Sequence, residues 1–457
     1  MSWLSLFELA DMCGGTLMGI SAKSAQETNI ERVERDSRCV GAGDLFVALK
    51  GEHFDAHDFV SDVAGKASAA LVERPLEVQI PQVVVKDVRL AMGKLATAWR
   101  NCFSGPLIAL TGSNGKTTLK EMLTAILSEC GSTHATKGNL NNDLGVPLTL
   151  FELRPGQHQF AVIEMGANHF GEIDYLTHVA KPNVAVLNNA GAAHLEGFGD
   201  IAGVAKAKGE IFSSLNSEGV AILNADDDYF AYWQELNKAR RVLSFGMTNA
   251  SADVQGIVEN NNQLAIHYLG EVVKVKLPLL GLHNAMNALA ATAAVLPLGI
   301  ELTAVKRGLE KLEAVKGRLC PVEGRRGELV IDDTYNANPT STLAALRVLA
   351  QQQKRKLFVL GDMGELGNDG VELHAEIGRQ AAELGIDALY GVGEMSAHAC
   401  AAFGAGGVAC QDMDELLCSL DTLELHAGVC VLIKGSRSAR MERVVDALVN
   451  VPEVAAC

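Results

Sequence analysis

The sequence predicts an α/β protein of three domains: a small N-terminal α/β domain, a central parallel-sheet domain and a C-terminal Rossmann-like α/β domain. Three observations predict it. Apolar runs of four or five residues alternate with amphipathic stretches of helical length, the rhythm of a parallel sheet. One run, Leu107-Ile108-Ala109-Leu110, leads directly into the glycine-bearing Thr111-Gly112-Ser113-Asn114-Gly115-Lys116-Thr117-Thr118 and then into a helical pattern. The length of 457 residues suits about three domains at roughly 150 residues each.

Taken in order, residues 1–84 form the first unit, with strands expected at 44–49, 69–72 and 82–85. Asp36-Ser37-Arg38 precedes the first strand. Its arginine can fork onto a phosphate or carboxylate, or lie solvated in a loop. Asp55, His57 and Asp58 read as a helix start. Residues 85–314 form the second unit, entered by an amphipathic helix over 87–103 (Val88, Met92, Leu95, Ala96, Trp99). After the glycine loop, Leu119, Met122, Leu123, Ile126 and Leu127 mark one helix face, closed near Gly131. Strands follow at 160–164, 184–187, 219–223 and 241–245, then short alternating strands over 251–278 as an antiparallel appendage, and a helix from His283 to Val295. Residues 315–457 form the third unit: strands 328–332, 357–360, 387–390 and 429–433, and helices 340–353, 371–384 and 438–449.

The loop between strand and helix is built to cradle a phosphate chain, with backbone N–H groups and a helix start aimed at the anion. Lys116 would reach the β- and γ-phosphates and the Thr117 hydroxyl would bind Mg²⁺. This marks the central unit as a P-loop ATPase domain. The loop is nevertheless short, because Gly112 precedes Gly115 by three and Leu110 stands where the common motif has its first glycine.

In open α/β sheets ligands lie beyond the carboxyl ends of strands. There the central unit carries Glu164 with Gly166, Asn188-Asn189-Ala190-Gly191 and Asn224-Ala225-Asp226-Asp227. The third carries Asp332-Asp333-Thr334-Tyr335-Asn336, Gly361-Asp362-Met363 and Lys434-Gly435-Ser436-Arg437. Glu164 is the natural second Mg²⁺ ligand. By chemistry alone His194 reads as a solvated loop histidine and Lys208 as a helix-surface lysine. Asn284 and Asn287, three apart on one helix face, suit an adenine edge or serve as capping amides.

Composition excludes several classes. A formal charge of −16 argues against non-specific nucleic-acid binding, and no apolar run reaches the eighteen or so residues of a membrane span. The start lacks a basic n-region, so no signal peptide is expected. Ten scattered cysteines show no zinc spacing and read as reduced core residues of a cytoplasmic protein. A monomer is expected.

The short loop, Gly138-Asn139-Leu140-Asn141-Asn142, Glu164-Met165-Gly166-Ala167-Asn168-His169, His194-Leu195-Glu196-Gly197, Ala205 to Phe212, His283-Asn284 with Asn287, Gly317-Arg318, Asp332 to Asn338, Gly361-Asp362-Met363 and Lys434 to Ser438 together resemble the Mur ligases. These are the ATP-dependent amide-bond ligases that build the peptidoglycan precursor of bacteria, and they use the loop T-G-[ST]-x-G-K-[ST]. The resemblance runs over nearly the whole chain. It implies as substrates UDP-N-acetylmuramoyl-tripeptide, D-alanyl-D-alanine and ATP, joined through an acyl phosphate. It also implies residue roles. Ser37 and Arg38 would lie near the UDP end in the first domain, and Asn141 and Asn142 would face the muramoyl peptide. Glu164 and His194 would bind Mg²⁺ with Thr117, and Lys208, carbamylated by CO₂, would help to hold a second Mg²⁺. Asn284 and Asn287 would contact adenine, Arg318 the γ-phosphate and Asp333 the ribose. Tyr335, Asn336 and Asn338 would lie close to the dipeptide. Lys116, His194, Lys208 and Arg318 would carry the catalysis. Folylpolyglutamate synthesis uses the same loop, but that family lacks a domain like residues 1–84. The ligase adding diaminopimelate as third residue carries Asp-Asn-Pro-Arg, which this chain lacks.

Overall fold

A computed structural model describes residues 4–51, 54–193, 195–259, 263–313 and 315–449. The first unit is a five-stranded sheet in the order Thr16–Met18, Gln82–Val84, Ala69–Val72, Asp44–Val47, Arg32–Glu34. All its neighbours are parallel except Thr16–Met18 against Gln82–Val84. Alternation along the strands sends Phe46, Ala70 and Val72 to one face. Leu45, Leu71 and Val83 go to the other, where they join a cluster that continues through Met92 and Leu95 into the central unit. The helix Val88–Asn101, capped by the Asp87 side chain on Leu90 N–H, lies in this shared core. Its buried Arg100 donates to the Ala180, Phe103 and Lys181 carbonyls and to Asn183 Oδ1, so the charge is desolvated among acceptors rather than alone.

The central sheet has nine strands. Six run parallel in the order Thr133–Ala135, Phe160–Glu164, Leu107–Thr111, Val184–Leu187, Val220–Asn224, Arg241–Gly246. Val254–Val258 adds a seventh in parallel, and Gln263–Tyr268 with Glu271–Lys276 completes the antiparallel appendage. Strands buried on both faces need no polar alternation. Accordingly Leu107, Ala109, Ile163 and Leu187 enter one core, and Ile108, Leu110, Val162 and Val186 the opposite one. The second core is covered by the helices Lys116–Ser128, Leu282–Val295 and Leu302–Glu310. Gly308 permits the last crossing, since a Cβ there would lie 2.5 Å from Ile126 Cα.

The third unit is a six-stranded sheet in the order Cys320–Glu323, Leu329–Asp333, Val429–Lys434, Arg355–Gly361, Ala388–Val392, Gly407–Cys410, antiparallel only at Cys320–Glu323. Two separate cores, one holding Ile331, Phe358 and Leu432 and the other Val330, Leu357 and Val431, make it doubly wound. The segment between 391 and 428, unassigned from sequence, contains the helices Glu394–Phe403 and Met413–Asp421 and the edge strand Gly407–Cys410. No helix among the described residues is long and apolar enough to cross a membrane.

Candidate functional site

The strand Leu107–Thr111 lies where the order of the central sheet reverses, with Phe160–Glu164 on one side and Val184–Leu187 on the other. Such a switch point opens a crevice at the strand ends. The glycine loop fills it. Gly115 opens the helix Lys116–Ser128 at φ +78, in the left-handed region, and a Cβ there would meet Asn287 Oδ1 at 2.5 Å. The short loop is braced from outside by the neighbouring strand end. Asn189 accepts from Asn114 N through its side chain (2.9 Å) and from Ser113 N through its carbonyl (3.1 Å). Asn188 and Asn189 both donate to the Asn114 carbonyl at 3.1 Å. Thr111 Oγ1, beneath the loop, donates to the Met165 carbonyl. Lys116 Nζ folds onto the Gly112 carbonyl at 2.7 Å. Burial holds its amine below the ordinary lysine range, aided by the charge of Arg318 and opposed by Glu164 and Glu365.

Glu164 is buried at its strand end. Its Oε2 accepts from Thr117 Oγ1 (3.0 Å), its Oε1 from Asn141 Nδ2 (2.8 Å), and its backbone N donates to Thr136 Oγ1 (3.0 Å). Lys208, on the helix Ile201–Gly209, is fully buried rather than on the surface. Its Nζ lies 3.4 Å from the Ala167 carbonyl and 5.4 Å from the centre of the Phe198 ring. Burial, then the nearby Lys116 charge, brings the Lys208 amine down to about 7, against the pull of Glu172 and Glu210. His194 lies outside the described residues. Among the described residues no three His, Cys, Asp or Glu side chains converge on one point. The Thr117 hydroxyl and Glu164 carboxylate are hard oxygen donors of the kind Mg²⁺ accepts alongside substrate phosphates.

The third unit reaches the same place. Gly317 turns at φ +78, its N–H held by Asp332 Oδ2 (3.0 Å) and its carbonyl by Tyr335 N (3.1 Å). The next residue, Arg318, donates from Nη2 to Thr117 Oγ1 at 2.8 Å, and its guanidinium sits 4.0 Å over the Tyr335 ring. Asp333 pairs with Lys434 at 2.5 Å, and Lys434 also donates to the Asn336 carbonyl. Asn338 caps the helix Pro339–Ala350 through Ser341 N (2.9 Å) and donates across to Asn114 Oδ1 in the glycine loop (2.8 Å).

These groups surround one cleft of about 1710 Å³. Of the described residues given a role from the sequence, all line it apart from Thr111, Gly112, Lys208 and the pair Ser37 and Arg38. Arg38, exposed, forks onto Asp36 at 2.6 Å within its own loop. Asn141 and Asn287 prove to be tied into the site itself, the first to Glu164 and the second to Asn188 (2.8 Å). Sequence reasoning did not find Thr136, Glu365 or His374, and it marked Asp332 at its strand end without giving it a role. Glu365 sits just beyond a strand end already marked by Gly361-Asp362-Met363. Thr136 and His374 act through backbone groups and leave no pattern.

A phosphate loop facing a second α/β unit that supplies an arginine defines a nucleotide-dependent group-transfer enzyme. Residues 110–295 match the Mur ligase middle domain and residues 317–437 the Mur ligase glutamate ligase domain. The chain belongs to the Mur ligase family. It is 45% identical to UDP-N-acetylmuramoyl-tripeptide–D-alanyl-D-alanine ligase of Escherichia coli, over 97% of this chain and 98% of that protein. A crystal structure of MurF from Acinetobacter baumannii is 41% identical, with a TM-score of 0.90 over 97% of this chain and 98% of that one. MurF ligase of Thermotoga maritima, solved in complex with ADP, is 29% identical, with a TM-score of 0.80 over 91% and 96%.

Proposed function

We propose that this protein is the ATP-dependent ligase that joins D-alanyl-D-alanine to UDP-N-acetylmuramoyl-tripeptide, releasing ADP and phosphate. Full-length similarity to ligases of that name supports the activity. The observation that carries the mechanism is Arg318, from the third unit, 2.8 Å from Thr117 Oγ1 in the phosphate loop. ATP lies along the glycine loop, its phosphates on Lys116 and the start of the helix, with Asn284 and Asn287 beside the nucleotide and Asp333 at the ribose. The terminal carboxylate of the tripeptide attacks the γ-phosphate and becomes an acyl phosphate. Lys116 and Arg318 neutralise charge on the transferring group from opposite sides. The dipeptide amine then attacks the carbonyl carbon, and the tetrahedral intermediate collapses to amide and phosphate.

Thr117 and Glu164 hold Mg²⁺, with His194, and carbamylated Lys208 helps to hold a second ion. Bound Mg²⁺ neutralises phosphate charge. Carbamylation needs an amine with a free lone pair, which suits a buried Lys208 brought down to about 7. Residues 1–84 receive the UDP end, with Ser37 and Arg38 at their surface. Residues 85–314 bind ATP, with Asn141 and Asn142 toward the muramoyl peptide, and residues 315–457 bring Tyr335, Asn336 and Asn338 to the dipeptide. The enzyme works as a cytoplasmic monomer, where sugar nucleotide and ATP are both found.

The test is phosphate release from ATP. Turnover is expected only with UDP-N-acetylmuramoyl-tripeptide and D-alanyl-D-alanine present together, and equal turnover with L-glutamate plus a folate would overturn the assignment.

A further inference from the structure

Arg318 is the charge that the third unit brings to the phosphate loop, yet no counter-ion fixes it. Arg89 and Arg437, which also line the cleft, are held by carboxylates, Asp143 at 2.8 Å and Glu442 at 3.1 Å. Among the described residues the Arg318 guanidinium has two contacts, and neither is a carboxylate. One is the Thr117 hydroxyl and the other is the Tyr335 ring, 4.0 Å from Cζ to the ring centre. The difference has a chemical reason. A carboxylate would orient the guanidinium but neutralise it before a phosphate arrived. A ring face attracts a cation through its quadrupole and leaves the charge uncancelled. Thr117 is no lasting anchor either. In the ligase reading its hydroxyl goes to Mg²⁺, and a metal ion and a guanidinium would compete for one oxygen. The ring contact depends on nothing that nucleotide binding takes away.

The ring and the arginine are set against each other by one buried carboxylate. Asp332 accepts through Oδ2 from Gly317 N at 3.0 Å, and through Oδ1 from Thr334 N at 3.2 Å and Thr334 Oγ1 at 2.6 Å. Arg318 and Tyr335 each follow directly on a residue tied to Asp332. The Gly317 carbonyl accepts from Tyr335 N at 3.1 Å, and Lys434 holds the next residue through the Asn336 carbonyl at 3.0 Å. Gly317 permits so close an approach, since a Cβ there would lie 3.2 Å from Tyr335 N and 3.3 Å from Tyr335 Cβ. Tyr335 is 36% exposed, so core burial does not account for an aromatic ring at this position.

We propose that Tyr335 is a positioning residue for phosphoryl transfer, its ring holding the Arg318 guanidinium toward the γ-phosphate with its charge free. This role rests on the ligase reading above and belongs to its first step, before the dipeptide takes part.

Nucleotide binding tests it without turnover. Affinities for ATP and for ADP, each with Mg²⁺, are measured by calorimetry on full-length wild type, Tyr335→Leu, Tyr335→Phe, Arg318→Ala and the Arg318→Ala/Tyr335→Leu double variant. Tyr335→Leu should lose about tenfold in affinity for ATP, the scale of one cation–ring contact. It should lose little for ADP, which lacks the γ-phosphate. Tyr335→Phe keeps the ring and should recover most of the loss. Arg318→Ala should bind ATP more weakly, and adding Tyr335→Leu to it should change nothing further, because the ring acts through the arginine. Equal losses for ATP and ADP would overturn the proposal, as would a phenylalanine variant no better than the leucine one. So would an additive loss in the double variant, or an ATP affinity unchanged in Arg318→Ala. Failure of the wild type to release phosphate with tripeptide nucleotide and dipeptide would instead remove the ligase reading, and the binding cycle would still show whether the ring acts through the arginine.

Discussion

Asn338 performs two tasks that substitution can separate. Its Oδ1 accepts from Ser341 N as the cap of the helix Pro339–Ala350, while its Nδ2 donates to Asn114 Oδ1 in the phosphate loop. Asn338→Ala removes both. Loss of the cap should cost about 1 kcal/mol of stability, a fall of about 2–4 °C in the melting of the third unit. Loss of the bridge removes about 1 kcal/mol from the arrangement that brings the third unit to the loop, or about fivefold in kcat/KM for ATP at roughly 1.4 kcal/mol per decade. Asn338→Asp keeps the cap, because aspartate is as good a cap as asparagine. It cannot donate to Asn114, however, and sets an anion against an amide oxygen beside the phosphates. The aspartate variant should therefore melt like wild type yet show a drop in kcat/KM for ATP at least as large as that of the alanine variant. Calorimetry and a phosphate-release assay read the two effects separately. An aspartate variant with wild-type kinetics would refute the bridge, and an alanine variant with unchanged melting would refute the cap.

Two further outcomes are expected. Lys208→Ala should lose most ligase activity and regain part of it in a short-chain carboxylate such as acetate, which replaces the carbamate oxygens; full activity without rescue would refute the carbamate role. His134 and His158 stack with ring centres 5.0 Å apart, and burial holds both below the ordinary histidine range. The native state therefore resists protons that the unfolded state accepts near pH 6.5. Their contribution is flat above that pH, and stability falls as pH drops below it. His134→Gln, whose amide can still donate to the Thr149 carbonyl, should narrow the gap between guanidinium midpoints measured at pH 5 and pH 7.5. An unchanged gap would count against the stack as its source.

The central unit was legible because strands buried on both faces must be apolar throughout and helices must repeat near 3.6. Leu107–Thr111 and Lys116–Ser128 meet both conditions. Glu164 was found by the rule that ligands gather at strand ends. The helix Glu394–Phe403 was missed because His398 and its alanines give little contrast between faces, and Gly407–Cys410, at a sheet edge, buries only its last residue fully. The burial of Lys208 was invisible for another reason. Lys206 and Lys208 have the same local sequence character, and only packing against Ala167 and Phe198 distinguishes them.

The turn at Gly317 has a mechanical consequence. A rigid body that rotates displaces each of its points in proportion to distance from the pivot. Arg318 follows the turn immediately, so its lever arm about the Val315–Gly317 segment is a single residue, whereas Glu365 and Ser436 sit at the ends of strands farther along the sheet. A swing of the third unit about that segment would carry the far strand ends through a wider arc than Arg318 or the Tyr335 ring that lies against it. The arginine can then stay with the triphosphate while the far wall of the cleft opens.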